Sequence, residues 1–300
     1  MPSKIATIVL LAVSLFVTST VAKERLQPFV LASESNSELS SVVAETISKL
    51  TGTGFDMVAD YSPFKDSVVI IVTSQELQNI AAKTSQGGYG AVQRVGVSQV
   101  GDRVEVTYIN PIYLQHAYRL KGDLSPVKEK LQEALGHTRE FGVVKTKTTA
   151  KKLKKYHYMF SMPYFDDPYE LAEFKSHAAA IAATEKAINK EGDAISLVYR
   201  LDIAGAEQTV FGVSMNATNK KEQDLDDEHQ LSIVDFESPK KSAYLPYEVL
   251  VTGNRVEALH MKFRMALHFP DLSMMGDNSF MKLRPSPGKI KDALEEMFED

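Results

Sequence analysis

The chain repeats one pattern of apolar and polar positions. Residues 91–116 and 243–268 both read as a strand, a tight turn at Gly-Asp or Gly-Asn, a returning strand and an apolar helical stretch ending in His. The two segments are identical at 7 of 26 aligned positions, whereas ordinary residue usage gives about one or two. This repetition predicts two copies of one domain. The identical pairs are Ala91/Ala243, Val97/Val249, Gly101/Gly253, Arg103/Arg255, Val104/Val256, Glu105/Glu257 and His116/His268.

The first copy predicts a complete set of elements around its hairpin. Apolar residues at helical spacing predict a helix over 38–50, and Thr-Gly-Thr-Gly ends it. Residues 55–61 and 67–73 read as strands, and the continuous run VVIIV predicts that the second is buried on both faces. Further helices are predicted over 75–83 and, after Ser125-Pro126, over 127–135.

The second copy predicts the same order with two differences. An entry strand is predicted over 158–163, a long alanine-rich helix over 168–190, strands over 195–203 and 208–215, the hairpin, and a last helix over 289–298. Residues 219–230 are too charged to bury and predict an exposed loop or a surface helix. The two hairpins lie 152 residues apart, whereas the Ser-Pro pairs that start the last helices lie 161 residues apart. The second copy therefore carries nine extra residues, which fall within a methionine-rich insertion at 273–284.

These elements predict the α+β class, as two tandem copies of a small α/β sandwich related by internal duplication. The expected organisation is a signal peptide at 1–22, a first repeat at 23–140, a basic linker at 141–156 and a second repeat at 157–300. The motifs VVIIVTS, GGYGAVQRVGV and GDRVEVTYINP resemble a bacterial family catalogued as domain of unknown function 302. The resemblance covers residues 28–137 and extends more weakly over 158–298. It implies a compact α+β sandwich and no particular chemistry.

The first 22 residues predict export. Lys4 precedes a 13-residue apolar run, and small residues follow at 20–22. That run is shorter than the about 20 residues that span a bilayer, so we expect cleavage after Ala22 and a soluble mature protein without a membrane span. The chain has no cysteine, which excludes disulfides and thiolate ligands and favours a bacterial periplasm over another secreted setting. The net charge of −5 argues against a nucleic-acid partner.

One stretch is strongly basic, although the whole chain is acidic. Residues 145–155 hold six lysines, and aromatic residues follow directly. This pattern fits a phosphate, an anionic lipid or a nucleic acid, but it also fits an interdomain connector whose lysines discourage edge pairing. We favour the connector.

Methionine and histidine concentrate in the second copy. Thioether and imidazole groups without thiolates suit copper, especially Cu(I), although methionine is also an ordinary filler of apolar cores. We favour core packing, with a metal site as the alternative. The candidate ligands are His260, Met265, His268, Met274, Met275 and Met281.

No catalytic motif stands out, so the sequence favours a non-enzymatic binding or accessory protein, periplasmic or secreted, for a small molecule or a metal. We expect the ligand in a cleft where the two copies meet, lined by Tyr113, His116, His260 and His268. One alternative is a copper-handling protein, which makes copper the possible cofactor. Another is an enzyme that uses the duplicated pairs Glu105/Glu257 and His116/His268.

Overall fold

The computed structural model describes residues 25–190 and 194–299. In these ranges the chain forms helices and two antiparallel sheets, which confirms the α+β class. The predicted signal peptide at 1–22 lies outside the described residues. Within the described ranges, no helix has the length and apolar character needed to cross a membrane.

The first sheet has six strands in the order β2-β3-β4-β5-β1-β6. Their bounds are β1 Phe29–Ser35, β2 Asp56–Phe64, β3 Ser67–Thr73, β4 Gln93–Val100, β5 Arg103–Ile109 and β6 Arg139–Phe141. The VVIIV run lies in β3, which is buried over almost its whole length, as predicted. The helices of this half are α1 Leu39–Gly52, α2 Gln75–Ala82, α3 Pro111–Ala117 and α4 Ser125–Leu135, with a 3₁₀ turn at Gly87–Gly90.

The second sheet has five strands in the order β8-β9-β10-β11-β7. Their bounds are β7 Tyr169–Glu173, β8 Ile195–Asp202, β9 Gln208–Met215, β10 Tyr247–Thr252 and β11 Arg255–Ala258. The short helix α5 Ala150–Leu153 lies in the connector between the sheets. The remaining helices are α6 His177–Ile188, α7 Asp227–Val234, α8 Met261–His268 and α9 Ser286–Glu296, with a 3₁₀ turn at Ser242–Tyr244.

Apart from β6, the two sheets arrange their strands in the same order relative to the chain. Their central hairpins, β4–β5 and β10–β11, have matching two-residue turns. Gly101 has φ 61° and Gly253 has φ 57°, a region that glycine enters without a Cβ clash. The Gly-Asp and Gly-Asn pattern therefore identified both turns correctly.

The segment that leads into the second sheet differs from the prediction. Residues 158–163 form turns, whereas β7 at Tyr169–Glu173 pairs with β11. Helix α6 begins only at His177, where the Ser176 hydroxyl accepts a hydrogen bond from Ala179 N at 3.2 Å. The predicted strand at 158–163 was therefore wrong. The predicted helix start at 168 was also wrong, because pairing with the distant β11 holds residues 169–173 extended, and no local pattern reveals that pairing.

The acidic stretch at 219–230 also differs from the prediction, because it is partly buried. Residues 219–224 are exposed or partly exposed, but Leu225 is buried and so is Asp227, where α7 begins. The Asp227 carboxylate accepts a hydrogen bond from Met215 N at 3.0 Å. This backbone hydrogen bond satisfies one oxygen of the carboxyl group and so makes its burial tolerable.

One apolar core joins the two sheets, and we call the contact between them the seam. The Phe29 ring of β1 lies 5.9 Å from the His268 ring, centroid to centroid. Gly96 of β4 lies so close to the second half that a Cβ there would stand 2.3 Å from Ser242 Oγ. The two halves therefore fold against each other as one packed body.

Candidate functional site

The seam is crossed by a buried ion pair. Arg94 on β4 donates from Nη1 to Glu248 Oε2 on β10 at 3.1 Å, and both side chains are almost fully buried. Glu248 also accepts a hydrogen bond from Tyr199 Oη at 2.9 Å. Each oxygen of the Glu248 carboxylate therefore has a partner, Arg94 in the first half and Tyr199 in the second. The Arg94–Glu248 ion pair links the two halves.

Helix α8 adds a second buried cation to the seam. Arg264 Nη2 donates to the carbonyl oxygens of Tyr244 and Pro246, at 3.1 and 2.8 Å. Its guanidinium carbon lies 4.3 Å from the centroid of the Tyr247 ring, within cation–π range. Burial and the nearby charge of Arg94 lower the pKa of His268 well below its ordinary value, so this imidazole is neutral.

The duplicated glutamates bind across the seam in a reciprocal manner. Glu105 on β5 accepts hydrogen bonds from Ser238 Oγ and Lys240 N of the second half. Glu257 on β11 accepts one from Gln86 Nε2 of the first half at 2.7 Å. In the described residues, neither glutamate hydrogen bonds to a histidine. Both carboxylates therefore link the two halves through hydrogen bonds.

The four residues predicted to line a cleft are distributed over different surroundings. Tyr113 is buried and donates its hydroxyl to the carbonyl oxygen of Leu267 at 2.7 Å. His268 is buried in the seam, whereas His116 is partly exposed near the end of α3. His260 caps the start of α8 and His268 ends it. An α-helix rises 1.5 Å per residue, so these two are roughly 12 Å apart along the axis. They therefore do not converge on one point, and His268 is fully buried.

The methionine cluster, in contrast, surrounds a cavity of about 360 Å³. We call it the methionine pocket. Its thioethers come from Met162, Met261, Met265, Met274 and Met281. The remaining lining residues are Tyr158, Lys262, Ala266, Phe280, Leu283, Arg284 and Pro287. Of the predicted metal ligands, His260, His268 and Met275 are not in the lining, and Met275 is strongly exposed.

Three segments build the walls of the methionine pocket. Met261 and Met265, four residues apart on α8, form the floor because they share one helix face. The insertion folds back on itself through a hydrogen bond from Phe280 N to Ser273 O at 3.0 Å. The third wall is the turn at 158–162, whose Tyr158 ring lies 5.0 Å from the Phe280 ring. No lining residue comes from residues 28–137. The insertion therefore packs over α8 and the connector, and the pocket does not lie at the seam.

Sequence reasoning identified the insertion and α8 but missed Tyr158 and Met162. Their contact with the pocket joins residues more than 100 positions apart in the chain. The aromatic and apolar residues that follow the lysine stretch were the available signal.

The pocket differs from a conventional metal site. In the described ranges, no group of three or more His, Cys, Asp or Glu side chains could hold a metal ion. His260 is the nearest imidazole along the chain, but its Nδ1 accepts a hydrogen bond from Lys262 N at 3.2 Å. Burial, with a smaller contribution from Lys262, lowers the pKa of His260 to about 4. Any metal in the pocket would therefore depend on thioether sulfurs, which suit Cu(I).

No family model matches the chain, and no curated protein or solved structure matches it significantly.

Proposed function

We propose that this chain is an exported, non-catalytic binding protein built from two copies of one α+β domain. The leader-like N-terminal residues support export. The repeated hairpin sequence, the shared strand order and the matching glycine turns support the duplication. The carboxylates of the enzyme alternative, Glu105 and Glu257, accept hydrogen bonds across the seam.

The methionine pocket is the proposed ligand site, in place of a cleft at the seam. Its volume of about 360 Å³ lies at the lower end of the range for small-molecule pockets, about 300–1,000 Å³. Five flexible thioethers and two aromatic rings line it, and methionine adapts its shape to different apolar ligands. Lys262 and Arg284 add positive charge to the lining. We therefore propose a compact apolar ligand with an acidic end group, of the medium-chain fatty acid class.

A binding experiment tests this proposal by comparing two ten-carbon ligands, one ending in a carboxylate and the other in a hydroxyl. Decanoate should bind the chain from Lys23 onward more tightly than decanol in isothermal titration calorimetry. Met281→Gln should weaken decanoate binding about tenfold, because it puts an amide into the apolar wall. Met275→Gln is the matched control, since Met275 belongs to the same insertion but does not line the pocket. Equal effects of the two variants, or no decanoate binding, would refute the proposed site.

Copper handling is the second candidate, and the convergence of five thioethers on one cavity favours it. Cu(I) titration under anaerobic conditions, with a competing chromophoric chelator, tests this candidate separately from decanoate. A dissociation constant below micromolar that is lost in Met265→Leu and kept in Met275→Leu supports copper. Leucine preserves the apolar volume, so this variant should leave decanoate binding intact. Absence of Cu(I) binding leaves only the apolar ligand.

A further inference from the structure

Five of the large exposed apolar side chains in the described residues lie in the two segments that border the methionine pocket. Phe160 is 95% exposed and Met275 78% exposed. Met281, Met159 and Met274 are also exposed. We call these five residues the methionine face. A folded chain leaves such side chains in water at a cost of roughly 25 cal/mol for each Å² of apolar surface, so a contiguous group of them marks a contact surface.

The two segments of this face lie side by side. Tyr158 and Met162 flank the exposed pair Met159-Phe160, and both line the pocket together with Met274 and Met281. The ring contact between Tyr158 and Phe280 joins the turn directly to the insertion. The exposed residues of both segments therefore surround the same opening.

The turn that carries Phe160 is held in shape by its own hydrogen bonds. Met162 N donates to Met159 O at 3.0 Å, and His157 Nδ1 lies 2.8 Å from the same oxygen. Ser161 has φ 65°, in the left-handed region that few residues other than glycine adopt. A defined turn thus presents the phenyl ring outward.

Positive charge accompanies this apolar face. Residues 145–164 contain six lysines and no acidic residue, in a chain whose net charge is −5. Lys151, Lys152, Lys154 and Lys155 are exposed on α5 and the residues after it, just before the turn. Across the pocket, Lys262 and Arg284 are exposed as well. The acidic Asp277 of the insertion lies 3.5 Å from Lys282, which offsets its charge.

We propose that the methionine face docks on an anionic lipid bilayer. Protruding apolar tips insert at the boundary between headgroups and acyl chains, while neighbouring lysines bind anionic headgroups. A single-stranded nucleic acid is typically bound in a groove of stacking aromatic rings, whereas the exposed tip here is one phenyl ring among thioethers. Docking would bring the mouth of the pocket to the lipid surface. This inference stands on exposure and charge, and it does not depend on which ligand the pocket binds.

Vesicle sedimentation tests the proposal with the chain from Lys23 onward, which lacks the predicted leader. The protein should sediment with vesicles of phosphatidylglycerol and phosphatidylcholine, but only weakly with pure phosphatidylcholine. High salt should release it, because the headgroup contacts are electrostatic. Phe160→Ser should weaken partitioning about tenfold or more. Phe236→Ser is the matched control, since Phe236 is exposed elsewhere on the surface and should have no effect.

The lysines are tested in the same assay. The double variant Lys151→Gln/Lys152→Gln should weaken binding to anionic vesicles roughly tenfold or more, since each lysine near the surface contributes substantially. The adjacent, exposed pair Lys220 and Lys221 gives a matched control of equal charge change. All these positions are exposed, and thermal unfolding should show unchanged folding. Failure to sediment, equal binding to neutral vesicles, or insensitivity to Phe160→Ser would overturn the proposal. Binding to an acidic peptide or to DNA without binding to vesicles would do so too.

Discussion

The two halves of the described chain arrange five strands in the same order but bury different chemistry. Tyrosines aside, the first half buries two ionisable side chains, Arg94 and Glu105. The second half buries six, namely Asp227, Asp235, Glu248, Glu257, Arg264 and His268. The strand order therefore does not require these charges. Their concentration makes the second half dependent on the first, which supplies Arg94, and makes its stability sensitive to pH.

The largest expected effect comes from the ion pair that crosses the seam. Glu248→Gln leaves Arg94 without its counter-ion in a buried site and should cost about 3–5 kcal/mol of unfolding free energy. Glu105→Gln is the matched change in the first half. Glu105 accepts hydrogen bonds from Ser238 and Lys240 N but has no ion pair within residues 25–190 and 194–299, so its loss should cost only about 1–2 kcal/mol. Urea unfolding at pH 7 measures both.

The double variant Arg94→Met/Glu248→Met sharpens this comparison. Removing both charges avoids an unpaired buried ion and should recover much of the stability lost in Glu248→Gln. If Glu248→Gln costs no more than Glu105→Gln, the two buried carboxylates are equivalent and the contrast between the halves fails.

What the sequence could and could not reveal follows from the range of the contacts. The hairpins, β3 and α1 show as local periodicity, which needs only neighbours two to four residues apart. The Arg94–Glu248 pair joins residues 154 positions apart, and β7 depends on pairing with β11. The pocket likewise needs Tyr158 beside Phe280. The repeat aligned His116 with His268, but local sequence could not show that His116 is partly exposed and His268 fully buried.

Asp227 should give the next largest effect. Burial raises its pKa to about 7, although the Met215 hydrogen bond and Arg264 act in the opposite direction. A carboxyl whose pKa is raised by folding stabilises the fold fully below its unfolded pKa, about 4. That contribution is lost as the pH rises through 7. The variant Asp227→Asn lacks this loss, so it should gain about 4 kcal/mol relative to the natural chain between pH 4 and pH 8.

Urea unfolding of both proteins at pH 4, 6 and 8 checks this expectation. The carboxyl of Glu76 on α2 is the control in the first half, because its hydrogen bond to Lys130 lowers its pKa to about 2. Glu76→Gln should therefore show no gain with rising pH. A pH-independent difference between Asp227→Asn and the natural chain would show that folding does not raise the pKa of Asp227.

His268 should produce a smaller effect with the opposite sign. Its pKa is lowered well below the ordinary value by burial and by Arg94. The unfolded chain therefore binds a proton below about pH 6.5 that the folded chain rejects, and stability falls as the pH falls, by about 1.4 kcal/mol per pH unit. His268→Gln should remove this part of the acid sensitivity. His116→Gln should change it little, since His116 is partly exposed. Thermal unfolding at pH 7, 6 and 5 distinguishes the two, and equal slopes would contradict the expectation.

The smallest expected loss of stability comes from the two hairpin turns, which have similar backbone geometry in both halves. Gly101 and Gly253 both have positive φ, and no heavy atom lies within 4 Å of an added Cβ at either turn. Alanine there would meet no clash with its surroundings, so its cost is the left-handed backbone alone, about 1 kcal/mol. Gly101→Ala and Gly253→Ala should therefore lose equal stability in urea. Unequal losses would mean that the hairpins, despite their common sequence, differ in how the rest of each half constrains them.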